Sequence, residues 1–164
     1  MRLPASALVG PEGEAFAAFS RGLESYCAHT TAHYIGLARG ALEDAMKYAQ
    51  EREQFGQPIA SFQAIRFKLA TMATGIEAAR QFNYFVCTQI DSGRSCDKEA
   101  AMTKLFASEM SERVCSEALQ ILGGAGYTTD HAVERYWRDA RLTKIFEGTS
   151  EIQMKIISAR LLGR

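Results

Sequence analysis

The chain has 164 residues and a formal net charge of zero, and 47% of its residues are hydrophobic. That is enough for the core of one globular domain. The neutral charge disfavours a nucleic-acid partner held through phosphates, because such domains carry a basic excess. No apolar run is long enough to cross a bilayer, and Pro4 breaks the short apolar start that faintly resembles a signal peptide. We therefore expect a soluble, cytoplasmic protein without a membrane span.

The first element along the chain is predicted to be a linker, and a long helix follows it. Residues 1–13 are rich in proline and glycine and are expected to be extended and loop-like. Residues 14–52 contain strong helix formers and no proline, so they predict one helix. Gly56 is expected to form a left-handed cap, and Pro58 cannot continue a helix.

Two further long helices are predicted in the middle of the chain. Residues 61–91 and 97–122 are joined by a turn at 91–95. Gly123 and Gly124 end the later helix. On the earlier helix, apolar residues recur at steps of three and four, which places them on one face: Phe62, Ile65, Leu69, Met72, Ile76 and Ala79.

Two shorter helices complete the prediction. Asp130 is a candidate N-cap for a helix over 131–141, and a last helix is expected over 151–162. Short connections make sequential helices antiparallel neighbours. The predicted fold is therefore all-α, an up-down four-helix-bundle-like domain over residues 14–164, with no competing strand pattern.

The residues most often seen in metal or disulfide sites form no such pattern here. The four cysteines contain no CxxC pair, which favours reduced, partly buried thiols. His29 and His33 lie four apart on one helical face, but no third ligand is evident, so we predict no metal site. Arg138 and Asp139 are expected to form a structural cluster between helices.

Four segments carry a more specific signal than composition does. In chain order they are YAQEREQFG at 48–56, QILGGAGY at 120–127, ERYWRDAR at 134–141 and IFEGTSEIQ at 145–153. Together, in this order and at these separations, they resemble the C-terminal domain of the acyl-CoA dehydrogenases. The resemblance covers essentially the whole chain.

The resemblance assigns the chemistry to one carboxylate. In the family, a glutamate directly before Gly-Thr removes the α-proton of a bound acyl-CoA thioester, and Glu147 matches it. Burial of such a carboxylate raises its basicity, and Ile145 and Phe146 are expected to help exclude water. The alternative, from the residues alone, is a solvated acid before a helix start.

Three residues are expected to contact FAD held by a neighbouring subunit. In the family, the arginine matching Arg52 reaches the cofactor pyrophosphate, where its rigid fork of donors suits phosphate oxygens. The residues matching Phe55 and Gln63 pack against or contact the same cofactor. The alternative is that Arg52 only complements the dipole at a helix end.

Two glycine-containing segments complete the expected cofactor site. In the family, the stretch matching Gln120, Gly123 and Gly124 meets the adenosine end of the partner subunit's FAD, and the segment matching Thr149 and Ser150 lies along the flavin. Plain helix capping is the alternative for both. Contacts made across subunits imply a homo-oligomer, either a dimer or a tetramer.

The substrate contacts are expected nearer to Glu147. Glu24 occupies a position that contacts substrate in the family, and the Gly148 N–H is expected to orient the thioester. Cys27 stands where many members carry an arginine associated with CoA. Some members take their base from the position of Tyr26, and a tyrosine there supports Glu147 as the base.

The resemblance also implies a longer protein and further partners. Family members place an α-helical domain and a β-domain before this one, so residues 1–13 are expected to link to that β-domain and the isolated chain to be inactive. The implied activity is α,β-dehydrogenation of an acyl-CoA in β-oxidation, with electrons passing to an electron-transfer flavoprotein. The alternatives are an acyl-CoA oxidase or flavin monooxygenase of the same fold, a nucleic-acid-associated relative, and a non-catalytic oligomerisation module.

Overall fold

The computed structural model describes residues 2–163, apart from the side chains of Ser20, Arg21 and Glu24. Over these residues the chain forms three long helices and two shorter ones, in the order that the sequence predicts. The all-α prediction is confirmed, and the predicted ends of the long helices agree with the observed ends within two residues. The helices are α1 (Ala15–Glu51), α2 (Gln63–Asp91), α3 (Asp97–Leu122), α4 (Val133–Leu142) and α5 (Ser150–Leu161).

Alanines on α1 allow this helix to pack closely against its neighbours. Ala38, Ala41, Ala45 and Ala49 are fully buried and recur at steps of three and four. They belong to one core cluster with side chains of α2, α3 and α4. Because alanine has almost no side chain, the helix backbones can approach one another there. On α2, the predicted apolar face is confirmed by burial of Met72, Ile76 and Ala79.

Contacts between the helices fix their directions. Lys68 of α2 forms an ion pair with Glu117 of α3. A Cβ atom on Gly75 would lie 3.2 Å from Cγ of Met110. Residues that rise along α2 thus meet residues that fall along α3, so these helices are antiparallel. The start of α2 therefore lies at the same end of the bundle as the C-terminus of α3.

Helix α4 carries the chain back along α1. The rings of Tyr48 and His131, before α4 begins, have centroids 5.7 Å apart. Those of Tyr34 and Phe146, after α4 ends, have centroids 6.0 Å apart. This antiparallel path places Glu147 beside the first half of α1.

A short β-hairpin joins α1 to α2, and the sequence did not predict it. Its strands β1 (Glu53–Gln54) and β2 (Gln57–Pro58) are antiparallel. The two turn residues, Phe55 and Gly56, have φ angles of 54° and 76°, as in a type I′ turn. Gly56 therefore serves the hairpin rather than a helix cap, and α1 ends because Arg52 turns extended. We call this end of the bundle, with the C-terminus of α3, the hairpin end.

Two local predictions are wrong. The N-cap of α4 is Ala132, which makes no side-chain cap, and Asp130 accepts from the Thr128 hydroxyl instead. Arg138 does not pack between helices: it is exposed and pairs with Glu134 one turn earlier on α4. Residues 2–13 are loop-like, as expected, and contain one short 3-10 turn at Ala5–Ala7. Within the described residues, no helix has the length and apolar character of a membrane span.

Candidate active site

Glu147 lies in a strained loop between α4 and α5. Its φ angle is 59°, and that of Gly148 is 92°. A left-handed conformation is uncommon for a residue with a side chain, and it persists only where the surroundings impose it. Such residues concentrate at functional sites, so the backbone itself marks Glu147 as a candidate.

Two tyrosines of α1 donate hydrogen bonds to the Glu147 carboxylate. The hydroxyl of Tyr26 donates to Oε1 at 2.7 Å, and that of Tyr34 lies 3.5 Å from Oε2. The bond to Glu147 raises the pKa of Tyr26, because the carboxylate favours the protonated phenol. Burial raises the pKa of Tyr34 to about 12. The two hydroxyls therefore act as donors to the carboxylate throughout the physiological range.

Side chains of α3 and α5 hold the backbone of the same loop. Lys104 is completely buried, and its Nζ donates to the carbonyl oxygens of Thr143 at 3.0 Å and Gly148 at 2.7 Å. Gln153 donates a further bond to the Gly148 oxygen, at 3.2 Å. Burial lowers the pKa of Lys104, and the nearby Cys27, Glu147 and Glu109 oppose this shift.

Side chains anchor both ends of the loop. The ammonium of Lys144 lies 2.8 Å from carboxylate oxygens of both Glu109 and Glu112 on α3. The Ser150 hydroxyl donates to Glu109 at 3.1 Å. Thr149 caps α5 by accepting from the Ile152 N–H, as the capping alternative predicts. These bonds leave the loop few ways to move.

A largely apolar cavity of about 900 Å³ opens beside the carboxylate. Glu147, Gly148 and Cys27 all line it, and an ion pair between Arg160 and Asp97 lies at its edge. Helices α1, α3 and α5 supply its apolar walls through Phe16, Phe19, Leu23, Ala100, Ile152 and Ile156. A cavity with apolar walls, and with Glu147 as a carboxylate that is not paired with a basic side chain of the described residues, suits a small-molecule ligand with an aliphatic part.

The other predicted cofactor residues lie at the hairpin end, away from Glu147. Arg52 directly precedes the hairpin, Phe55 lies in its turn, and Gln63 begins α2. The Phe55 side chain is 91% exposed. The remaining residues lie where α3 ends and are all exposed: Gln120, Gly123 and Gly124. Along α3, Lys104 and Gln120 are separated by about 24 Å, at 1.5 Å per residue.

The structure thus divides the predicted site into two groups. Glu147, Gly148, Thr149 and Ser150 form one continuous segment at the cavity. The other six form the second group at the hairpin end. The side chain of Glu24, predicted to contact substrate, lies outside the described residues.

The expected surroundings of Glu147 are partly corrected. Phe146 packs against Tyr34 beside the carboxylate, but Ile145 is 52% exposed and so contributes less to excluding water than expected. Cys27 is buried, and burial raises the pKa of its thiol to about 11, so it lines the cavity as a neutral group.

Sequence reasoning missed Lys104, Tyr34 and Gln153. One signal was available: Lys104 lies on the buried face of α3, in helical register with Ala100 and Ala107. A lysine on an otherwise buried face is rarely accidental, because lysine is almost never fully buried without polar partners. No local signal marks Tyr34, whose hydroxyl meets a residue 113 positions later.

Comparisons with known proteins identify the family of the chain. The sequence model of the family described as "Acyl-CoA dehydrogenase, C-terminal domain" matches residues 16–162. The probable acyl-CoA dehydrogenase YngJ of Bacillus subtilis (strain 168) is 48% identical over 162 residues, which are 99% of this chain and 43% of that protein. The caffeyl-CoA reductase-Etf complex subunit CarC of Acetobacterium woodii is 49% identical over 128 residues, 78% of this chain and 34% of CarC.

A solved structure gives the same result for the fold. Butyryl-CoA dehydrogenase from Megasphaera elsdenii superposes with a TM-score of 0.93 at 40% identity, over 98% of this chain and 42% of that one. The chain thus spans less than half the length of the relatives that it matches. It belongs to the acyl-CoA dehydrogenase family and corresponds to the C-terminal domain of that family.

Proposed function

We propose that this chain supplies the catalytic base of an FAD-dependent acyl-CoA dehydrogenase, within a longer polypeptide. The reaction is the α,β-dehydrogenation of an acyl-CoA thioester, as in β-oxidation. Glu147 removes the α-proton of the acyl group. FAD, when bound, supplies the acceptor for the hydride that leaves the β-carbon.

One observation carries the proposal: the Glu147 carboxylate lines an apolar cavity while the loop holds its backbone in a strained conformation. The about 900 Å³ cavity has room for an acyl chain. A base held in place does not need to be ordered when the substrate arrives, which lowers the entropic cost of proton transfer. The Tyr26 and Tyr34 hydroxyls restrict the carboxylate further.

The backbone beside Glu147 offers a contact for the thioester. The Gly148 N–H has no acceptor among the described residues, whereas its carbonyl oxygen is bonded to Lys104 and Gln153. An N–H without an acceptor favours a ligand oxygen. We propose that it receives the thioester carbonyl, which would make the α-proton more acidic. The substrate contact of Glu24 stays a prediction.

The hairpin end has the features that an FAD contact needs. Among the described residues, the Arg52 side chain has neither a hydrogen bond nor an ion pair, so its guanidinium can bind phosphate. Phe55 presents its ring to solvent, which suits packing against a cofactor. A Cβ atom on Gly123 or Gly124 would meet nothing within 4 Å, so a ligand can approach the backbone closely.

The separation of the two groups supports an oligomer. The hairpin end lies about 24 Å from the Glu147 loop, measured along α3. This fits an arrangement in which Arg52, Phe55, Gln63 and the end of α3 contact the FAD of a neighbouring subunit. We therefore propose that the protein works as a homo-oligomer.

Near Glu147, the segment at 149–150 contributes to the cofactor site mainly by its position. Ser150 uses both its hydroxyl and its N–H within the chain. Thr149 caps α5 and is only partly buried. We propose that the rigid start of α5 lies along the flavin, with Ser150 fixing the position of Thr149.

Partners and location follow from the same proposal. The name of CarC includes an Etf complex, which supports an electron-transfer flavoprotein as the partner that receives electrons. The free thiols of Cys27, Cys87 and Cys115 are consistent with the cytoplasm, where thiols stay reduced. Residues 1–13 are proposed to connect to an upstream β-domain.

A second candidate is the same chemistry in the reducing direction. CarC is a reductase by name and shares 49% identity with this chain over 128 residues. The residues described here would then serve protonation at the α-carbon, with Glu147 returning the proton. An oxidase or monooxygenase differs instead in its reaction with oxygen.

The test uses the full-length polypeptide that contains this chain. We expect it to bind FAD, and we expect acyl-CoA to bleach the flavin anaerobically, with slow reoxidation in air. Glu147→Gln should abolish bleaching and retain FAD. Bleaching by acyl-CoA in the Glu147→Gln variant would contradict the proposal. Rapid reoxidation by oxygen would indicate an oxidase, and faster turnover with an enoyl-CoA and reduced partner would indicate the reductase.

A further inference from the structure

The buried ammonium of Lys104 contacts both ends of the loop that carries Glu147. Its two acceptors are the carbonyl oxygens of Thr143, at 3.0 Å, and Gly148, at 2.7 Å. Thr143 directly follows α4, and Gly148 directly follows Glu147. One charged group on α3 therefore bridges the segment 143–148, which runs from the end of α4 past Glu147.

This lysine is costly to bury, and its burial requires an explanation. It is fully buried, and no carboxylate within the described residues lies within ion-pair distance of its Nζ. Burial penalises the charged form, which lowers the pKa of Lys104. An apolar side chain of similar volume would often serve a helix core as well or better. The fold of the bundle alone thus does not account for a lysine at this position.

Lys104 holds the strained part of the loop, which contains Glu147 and Gly148. A carbonyl that is fixed in direction fixes the peptide plane to which it belongs. The plane after Gly148 is set by Lys104 and by Gln153, which donates to the same oxygen. Because the two fixed carbonyls lie on either side of Glu147, the bonds restrain the backbone in which Glu147 and Gly148 have φ angles of 59° and 92°. Without these bonds, the loop could relax to ordinary angles and turn the carboxylate away.

We propose that Lys104 is a positioning residue for the Glu147 base, acting through the backbone carbonyls of Thr143 and Gly148. The inference rests on the proposed function of Glu147. Lys104 itself does not touch the reacting atoms. It keeps the carboxylate aimed into the cavity between turnovers, so that the substrate meets a base already in place.

The test compares Lys104→Met with Lys68→Met in the full-length protein. Methionine keeps the length of the side chain but cannot donate to a carbonyl. Lys68 also bridges two helices, through Glu117, and within the described residues its side chain makes no other hydrogen bond or ion pair, whether with the Glu147 loop or with a residue proposed to meet FAD. For Lys104→Met we expect kcat to fall roughly 100-fold while KM stays within about threefold, because misplacement of a catalytic group slows chemistry more than binding. Lys68→Met should keep the kcat of the wild type.

Two further readouts separate this role from general damage. Exchange of the acyl α-hydrogen for deuterium in D2O should fall with kcat in Lys104→Met, because both need the placed base. Amide hydrogen exchange of residues 145–149 should accelerate in Lys104→Met and stay unchanged in Lys68→Met. If Lys104→Met does not fold, Lys104→Gln, which keeps a donor, is expected to fold with an intermediate loss of kcat.

The outcomes distinguish this inference from the proposed function. An active wild type with an inactive Glu147→Gln, but wild-type kcat in Lys104→Met, overturns the positioning role alone. Equal losses in Lys104→Met and Lys68→Met, or a KM that rises as much as kcat falls, also overturn it. If Glu147→Gln stays active, the proposed function fails. If amide hydrogen exchange of residues 145–149 is also unchanged in Lys104→Met, the structural basis of the inference fails as well.

Discussion

The Tyr26 hydroxyl and the Glu147 carboxylate lie 2.7 Å apart, a hydrogen bond that joins α1 to the loop before α5. The bond is the largest cause of the raised pKa of Tyr26, and the negative charge of Glu147 is the second. Each partner therefore reports on the other. The phenol is the more accessible reporter, because Tyr26 is 49% exposed.

The first prediction concerns the titration of Tyr26. Because the carboxylate favours the protonated phenol, replacing it with a neutral amide should lower the pKa of Tyr26 towards its usual 10.0. NMR of protein labelled at the tyrosine Cζ, titrated in wild type and Glu147→Gln, measures this. Glu43→Gln, an exposed change on the same helix, is the control. A Tyr26 pKa that does not fall in Glu147→Gln would show that the bond does not persist in solution.

The second prediction concerns Gly148. A Cβ atom there would lie 2.7 Å from Nε2 of Gln153, and the φ angle of 92° disfavours any side chain. We expect Gly148→Ala to lower the free energy of unfolding by about 1–3 kcal/mol and to reduce proton abstraction. Gly36→Ala makes the same change where nothing lies within 4 Å. Gly36 lies on the exposed surface of α1, so Gly36→Ala should raise the free energy of unfolding by about 0.5–1 kcal/mol. Urea unfolding of both variants measures these changes. Equal changes in the free energy of unfolding would contradict the strain at Gly148.

The third prediction separates stability from cofactor binding at Phe55. Asparagine followed by glycine is the pair that a type I′ turn prefers, so Phe55→Asn should keep or raise the free energy of unfolding, by up to about 1 kcal/mol. The same change removes the exposed ring and should weaken FAD binding roughly tenfold, about 1.4 kcal/mol. Glu53→Asn, on the adjoining strand, should change neither. Calorimetric titration of the apoprotein with FAD measures the loss, and unaltered affinity would exclude Phe55 from the cofactor site.

The fourth prediction concerns alkaline pH. Burial raises the pKa of Cys27 to about 11 and that of Cys115 to about 12, from a usual value of 9.0. Above pH 9 the thiols of the unfolded chain lose protons that the folded chain keeps, so this stability is present below pH 9 and is lost as the pH rises towards 11. Each group contributes at most about 1.4 kcal/mol per pH unit. Denaturant unfolding between pH 8 and 10.5 should give a shallower decline for Cys115→Ala than for wild type. Val114→Ala removes buried atoms but no ionisable group, so its free energy of unfolding should decline with pH as that of the wild type does.

Much of the fold could be predicted because the long helices carry continuous local signals. Apolar residues at helical spacing and turn residues between them located α1, α2 and α3 within two residues. The hairpin was missed because Phe-Gly is not a turn pair that the sequence signals. The left-handed angle of Phe55 belongs to the two-residue turn between the paired strands, and this pairing is not visible in the residue types of 53–58.

The site was predictable only in part, for a different reason. Glu147 and Gly148 belong to one short segment, so a motif could reveal them. Lys104 could not be assigned a role, since its acceptors are backbone carbonyls 39 and 44 residues away and backbone atoms leave no trace in residue type. Sequence reasoning could single out Glu147 as the proposed base, but not the contacts that hold it.

The distance of the hairpin end from the Glu147 loop has a genetic consequence in the proposed oligomer. Each chain then gives its base to one reaction centre and its Arg52 and Phe55 to another. Two defective alleles, one carrying Glu147→Gln and one carrying Phe55→Asn, would assemble mixed dimers in which one centre receives both lesions and the other receives none. At limiting FAD, co-expression should therefore give more activity than either allele gives alone, and a cell could carry two damaged copies and still oxidise its substrate.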